Sequence, residues 1–149
     1  MNLKDLISSN EIIYNLKSDT KEGVFSELLE KLIESGKVKN KMAALNNLLE
    51  REGKLSTGME GGLAVPHAKT VAVDELAVVF GLHHSGFEYN SLDGKPAHFI
   101  FLVLSPPDTS GPHIKALASI ARCVKDENVR KALIKTNSEK EIFEILIQN

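Results

Sequence analysis

Residues 61–70 read GGLAVPHAKT. His67 follows Pro66 and lies two residues before Lys69. Pro66 fixes its own φ and holds Val65 extended, so the imidazole leaves the backbone in a defined direction. Upstream, residues 51–62 read REGKLSTGMEGG and supply a guanidinium (Arg51), two hydroxyls (Ser56 and Thr57) and several glycines. Backbone N–H groups exposed at glycines, hydroxyl donors and an arginine fork are the parts of an anion cradle. An imidazole with a pKa of about 6.5 is mostly neutral at pH 7, and a neutral ring nitrogen is a nucleophile. A nucleophilic nitrogen beside an anion cradle suits phosphoryl transfer. The same parts also suit a non-catalytic module that only holds an anionic ligand.

His113 adds to the transfer chemistry. It falls in the first turn of a predicted helix after Ser110-Gly111-Pro112. Free N–H groups there favour anions, and the helix dipole disfavours imidazolium. Spacing alone does not bring it to His67, and a surface histidine at a helix start is the plain alternative. The other three histidines carry less. His98 opens an apolar run and reads as a structural residue. His83 and His84 are adjacent at a predicted strand end, so they point to opposite faces and make a poor metal pair. A solvated strand end is the expectation for both. No Cys/His spacing completes a zinc site, and neither a Gly-x-x-x-x-Gly-Lys-Ser/Thr loop nor a Gly-x-Ser-x-Gly elbow occurs. No metal or nucleotide site can be read from the sequence.

The elements that must position these residues follow from periodicity. Val24, Phe25, Leu28, Leu29, Leu32 and Ile33 recur at helical spacing, with Gly36 placed as a C-terminal cap. Met42, Leu45, Leu48 and Leu49 form a second apolar face that ends near Arg51, and residues 52–62 read as loop. Residues 12–16 give a weak strand signal. ELAVVFGL (75–82) and AHFIFLVL (97–104) read as strands buried on both faces, joined through the Asp93-Gly94 turn pair. The proline-rich SPPDTSGP (105–112) ends with Ser110 and Pro112 placed to open a helix. Its apolar stripe is Ile114, Leu117, Ala118, Ala121 and Val124. A short helix is expected after Asp126, and a last one after Ser138, with Glu141 completing a capping box. The expected architecture is α/β: one domain over residues 1–149, with helices packed on a sheet.

Bulk properties narrow the function. With 149 residues and 42% apolar content the chain suffices for one core. Eighteen basic and 20 acidic side chains leave a net charge of −2, which provides no footprint for nucleic acid. No apolar run is long enough to insert in a bilayer, and the first residues lack the pattern of a secretion signal. A cytoplasmic protein is the expectation. The single cysteine, Cys123, reads as a small buried hydrophobe on a helix.

Taken whole, LLEREGKLSTGMEGGLAVPHAKT resembles the signature of the enzyme IIA proteins of the bacterial phosphoenolpyruvate:sugar phosphotransferase system, fructose/mannitol class, which includes nitrogen-related regulatory relatives. Arg51, Ser56, Thr57, Gly58, Pro66 and His67 fall on it, and SLDGKPAHFIFLVLSP (91–106) and HIKALASIAR (113–122) match as well. The resemblance implies that His67 is phosphorylated, that His113 is the second active-site histidine, and that Arg51 helps to hold the phosphate. Ser56 and Thr57 are carried over as phosphate-binding candidates. It implies a mixed β-sheet flanked by helices on both sides, and no metal or organic cofactor. It also implies two protein partners: the histidine phosphocarrier protein as donor and an enzyme IIB component as acceptor. Sugar uptake of a fructose-like kind is the first expectation, and regulation through phosphorylation-dependent protein binding is the second. Met59 and Glu60 depart from the usual glycine-rich wording, and Glu60 is expected to face solvent or pair with a base.

Overall fold

The two apolar runs become the centre of the sheet. In the computed structural model, which describes residues 2–148, β4 (Ala77–Phe87) and β5 (Ala97–Ser105) pair antiparallel. The earlier strands are β1 (Ile12–Ile13), β2 (Leu63–Ala64) and β3 (His67–Lys69). β1 lies parallel to β4, while β2 and β3 both lie parallel to β5 on its other edge. The sheet is therefore mixed, with five strands in the order β1-β4-β5-β2 and β3 continuing along the β2 edge.

Helices cover both faces. α2 (Lys21–Glu34) and α3 (Lys41–Lys54) pack against Ala77, Val79, Ile100, Leu102 and Leu104. On the opposite face are α1 (Leu3–Leu6), α4 (Gly111–Lys125), α5 (Glu127–Ile134) and α6 (Glu139–Ile147), over Val78, Phe80, Leu82, Phe99, Phe101 and Val103. Alternate residues of the same strand thus feed opposite cores, which is why both runs are apolar without a break. Cross-strand partners share a face, and the Phe80 and Phe101 rings meet with centroids 4.6 Å apart. Each such fully buried side chain contributes about 1.5–3 kcal/mol.

The helix ends agree with their local chemistry. Thr20 and Asn40 accept from the N–H of Gly23 and Ala43 to cap α2 and α3. Gly36, at φ +77°, ends α2, with the N–H of Lys37 returning to the carbonyl of Leu32. Asp126 and Ser138 cap α5 and α6.

Four expectations need correction. Arg51 lies in the last turn of α3 and not in a loop, because the helix continues through Gly53 to Lys54. His67 opens a strand: the edge beside β5 breaks only at Val65-Pro66, where the missing N–H of proline is tolerated, and then resumes. His83 is buried, not solvated. Its Nε2 meets the Ser18 carbonyl at 2.9 Å and Asp19 at 3.1 Å, while His84 on the opposite face is exposed. The weak strand signal at 12–16 shrinks to Ile12–Ile13. Cys123 is buried, which pushes its thiol pKa up to about 11.

The segment after α3 is clamped to the segment after β4. Gly58 is where they touch most closely: a Cβ built there would stand 2.4 Å from Ser91 Oγ and 2.8 Å from both Ser91 Cα and the Tyr89 ring. The contact includes backbone, which cannot swing aside. Gly58→Ala should therefore lower stability by about 1–3 kcal/mol. Denaturant unfolding measures this, and an unchanged midpoint would show that the two segments do not constrain each other.

Candidate functional site

His67 is held from below by its own strand edge. The Val65 N–H donates to the Thr57 carbonyl at 3.1 Å, and the Pro66 carbonyl accepts from Val103 N–H at 2.9 Å. With the backbone pinned on both sides, His67 Nδ1 lies 2.7 Å from the Val65 carbonyl oxygen. A carbonyl only accepts, so Nδ1 carries the proton. In the neutral ring the lone pair is then on Nε2, the nitrogen left free for chemistry.

His113 reaches the same place by a different route. β5 ends at Ser105 beside Lys69 of β3, and the proline-containing turn at 106–110 leads back into α4. This brings His113, in the first turn of α4, against the end of β5, where its Nδ1 lies 2.6 Å from Ser105 Oγ. The His67 and His113 rings stand edge to face with centroids 5.4 Å apart. His113 is buried, and that desolvation lowers its pKa below 6.5; the neighbouring His67 and Lys69 act in the same direction. Lys69 Nζ donates to Ser110 Oγ at 2.9 Å, which fixes the ammonium at the rim of the site.

His67 stands where two cavities meet. One, of about 320 Å³, is lined by His67, His113, Arg51, Lys54 and Lys69, together with Asn47, Glu50 and Ala68. Five of these residues are basic or titrate to a cation. The other, of about 500 Å³, is an apolar groove with Leu55, Met59, Leu92 and Leu117 on its walls. His67 and Arg51 line both. The structure thus gathers His67, His113 and Arg51 around one cation-rich hollow that opens beside an apolar surface. Arg51 Nη1 also donates to the Leu55 carbonyl at 2.8 Å, so the guanidinium is anchored at the C-terminal end of α3.

Ser56 and Thr57 line the groove, but their hydroxyls are engaged in its wall. Ser56 Oγ donates to the Tyr89 carbonyl at 3.2 Å and accepts from Gly58 N–H at 3.1 Å. The Thr57 hydroxyl bonds Glu52 and lies 2.9 Å from Tyr89 Oη. Glu60 is exposed, as expected. Ser105 and Glu52 were not singled out by sequence. Ser105 is the last residue before two prolines, and Glu52 is a single acid beside the arginine that drew attention. Among the described residues, no group of three or more His, Cys, Asp or Glu is placed to hold a metal ion, and no helix is long and apolar enough to cross a membrane.

The His113 geometry sets a pH dependence. Its folded pKa lies below that of the unfolded chain, so between the two values the unfolded state binds more protons. This histidine therefore leaves stability unaffected above about pH 6.5 and reduces it as pH falls below that value toward the folded pKa. An NMR titration should place the His113 midpoint below about 6.5. A midpoint at or above that value would contradict the burial seen here.

Comparison with known proteins gives the family. Residues 5–149 match the family model described as the phosphoenolpyruvate-dependent sugar phosphotransferase system, EIIA 2. The chain is 36% identical over 129 residues to the fructose-specific EIIA component of Haloferax volcanii, covering 87% of this chain and 84% of that protein. It is 35% identical over 149 residues to the fructose-specific EIIABC component of Bacillus subtilis; all of this chain is covered, but it spans only 24% of that longer protein. Among solved structures, the nitrogen regulatory protein IIA-Ntr of Neisseria meningitidis superposes with a TM-score of 0.87 at 25% identity, covering 97% of this chain and 98% of that one. By its fold and its sequence over nearly its whole length, the chain belongs to the EIIA 2 family of the phosphoenolpyruvate-dependent sugar phosphotransferase system.

Proposed function

We propose that this protein is a phosphoryl carrier whose Nε2 of His67 accepts a phosphoryl group from the histidine phosphocarrier protein and hands it to a cysteine of an enzyme IIB component, in uptake of a fructose-like sugar. The observation that carries this is the 2.7 Å hydrogen bond from His67 Nδ1 to the Val65 carbonyl, which leaves Nε2 bare.

The Nε2 lone pair attacks phosphorus in line, and the bond to the donor's ring nitrogen breaks with its electron pair returning to that ring. The transition state is loose and highly anionic on its oxygens. Arg51, in the hollow beside His67, stabilises that charge. When Ser105 donates its hydroxyl proton to His113 Nδ1, His113 presents Nε2–H to a phosphate oxygen while remaining neutral. The His67 ring gains positive character as the new bond forms, and the Val65 carbonyl lies against the proton that carries it. Ser56 and Thr57 shape the wall beside the phosphate through their backbone and their bonds to Tyr89. The groove of Leu55, Met59, Leu92 and Leu117 offers an apolar surface on which donor and acceptor dock in turn.

The likeness to IIA-Ntr supports a second reading, in which the phosphorylated form regulates a bound protein. Transfer onward to an IIB cysteine favours the first; retention of the phosphoryl group in the presence of IIB favours the second.

Two outcomes test the site. Incubation with phosphoenolpyruvate, enzyme I and phosphocarrier protein should add one acid-labile, base-stable phosphoryl group by intact mass. His67→Ala should abolish it, whereas His113→Ala should keep the adduct on His67 at altered transfer rates. Full labelling of His67→Ala would remove His67 from its role. Arg51→Ala should slow single-turnover phosphorylation by about 10²–10³-fold, the usual effect of losing one preorganised donor. Because Arg51 also bonds the Leu55 carbonyl, this variant should lose about 0.5–1.5 kcal/mol of stability. An unchanged transfer rate would take Arg51 out of the site.

A further inference from the structure

We infer that Glu52 is a positioning residue for His67, acting through Thr57 and Val65. This rests on the proposal that His67 is the phosphorylated residue and adds the group that orients it.

Glu52 is buried behind the groove wall with a side chain that four donors converge on. Thr57 N–H donates to it at 2.7 Å, and the Thr57 hydroxyl donates to its other oxygen. Lys21 Nζ of α2 donates at 3.0 Å, and Tyr89 Oη at 3.2 Å. These donors come from three separate parts of the chain. Burial raises the Glu52 pKa, but the Thr57 and Lys21 donors outweigh it, so the carboxyl stays ionised below the usual carboxylate range.

From this carboxylate a continuous path leads to the nucleophile. Thr57 is fixed by its two bonds to Glu52. Its carbonyl accepts the Val65 N–H at 3.1 Å, and the Val65 carbonyl accepts His67 Nδ1–H at 2.7 Å. The carbonyl that selects the ring tautomer is thus placed by a residue that a buried charge holds. The same segment carries Leu55, whose carbonyl anchors the Arg51 guanidinium. One acid therefore sets the wall from which both groups are aimed. A charged acceptor suits this role, since its hydrogen bonds are shorter and stronger than those of a neutral one. Groups that orient a reacting side chain through hydrogen bonds matter for rate without touching substrate, because small misplacements weaken transfer steeply.

The test reads the His67 ring directly. Long-range ¹H–¹⁵N NMR of the unphosphorylated protein should show the wild-type ring protonated at Nδ1 and bare at Nε2. Glu52→Ala should give a mixture of tautomers and a single-turnover rate lower by about ten- to a hundredfold, with the carrier concentration for half-maximal rate little changed. Glu52→Gln keeps an acceptor for Thr57 N–H and should recover most of the wild-type tautomer and rate. A folded Glu52→Ala protein with the wild-type tautomer would overturn the inference, whatever its rate. If Glu52→Ala does not fold, Thr57→Val removes the hydroxyl and keeps the N–H bond; it should shift the tautomer part of the way, and a wild-type tautomer there would equally overturn the inference. The tautomer is measured without any phosphoryl donor, so failure of the positioning role and failure of His67 as acceptor are distinguishable.

Discussion

The hydrogen bond between His67 Nδ1 and the Val65 carbonyl is the constraint on which the site depends. It converts an imidazole with two equivalent options into a ring with one protonated nitrogen and one nucleophilic nitrogen. It works only because Val65 cannot move. Pro66 removes the conformational freedom that follows Val65, Thr57 holds its N–H, and β5 holds the Pro66 carbonyl. The strand break at Val65-Pro66 is therefore what makes the histidine directional.

The sheet explains how the other groups arrive. β5 is paired on both edges, with β4 on one side and β2 and β3 on the other. Its last residue, Ser105, pairs with Lys69 and bonds His113, so a single strand end carries both histidines into register. α3, packed on one face, brings Arg51 at its C-terminal turn, and α4, packed on the opposite face, brings His113 at its first turn. The hollow lies at the sheet edge where the two helical layers end. Burial keeps His113 below the usual imidazole range, which preserves a neutral donor next to a cationic rim.

Much of this was legible from residue types. The two central strands, the helices at 21–34 and 111–125 and the caps at Asp126 and Ser138 follow from periodicity and from side chains that compete for orphan N–H groups. His67 stood out because proline before it leaves little conformational choice. Periodicity ends the second helix near Arg51, and Gly53, Gly58, Gly61 and Gly62 read as loop, but a glycine on the exposed side of a well-packed helix costs only about 1 kcal/mol and the helix continues to Lys54. The burial of His83 was missed because its partners, Ser18 and Asp19, lie 64–65 residues away in sequence. Glu52 was missed for the same reason. Its donors are scattered from Lys21 to Tyr89, and nothing local distinguishes a buried acid at a helix end from a solvated one. Hydroxyls near a histidine suggested phosphate donors, yet Thr57 satisfies a buried carboxylate first, since leaving that charge unpaired would cost more than any exposed contact returns.

Nitrogen–phosphorus coupling in the phosphorylated protein tests the central claim most directly. With ¹⁵N-labelled histidine and the phosphoryl group in place, the phosphorus should couple to Nε2 of His67, while Nδ1 keeps its hydrogen bond to the Val65 carbonyl. Coupling to Nδ1 of His67, or to either nitrogen of His113, would contradict the account.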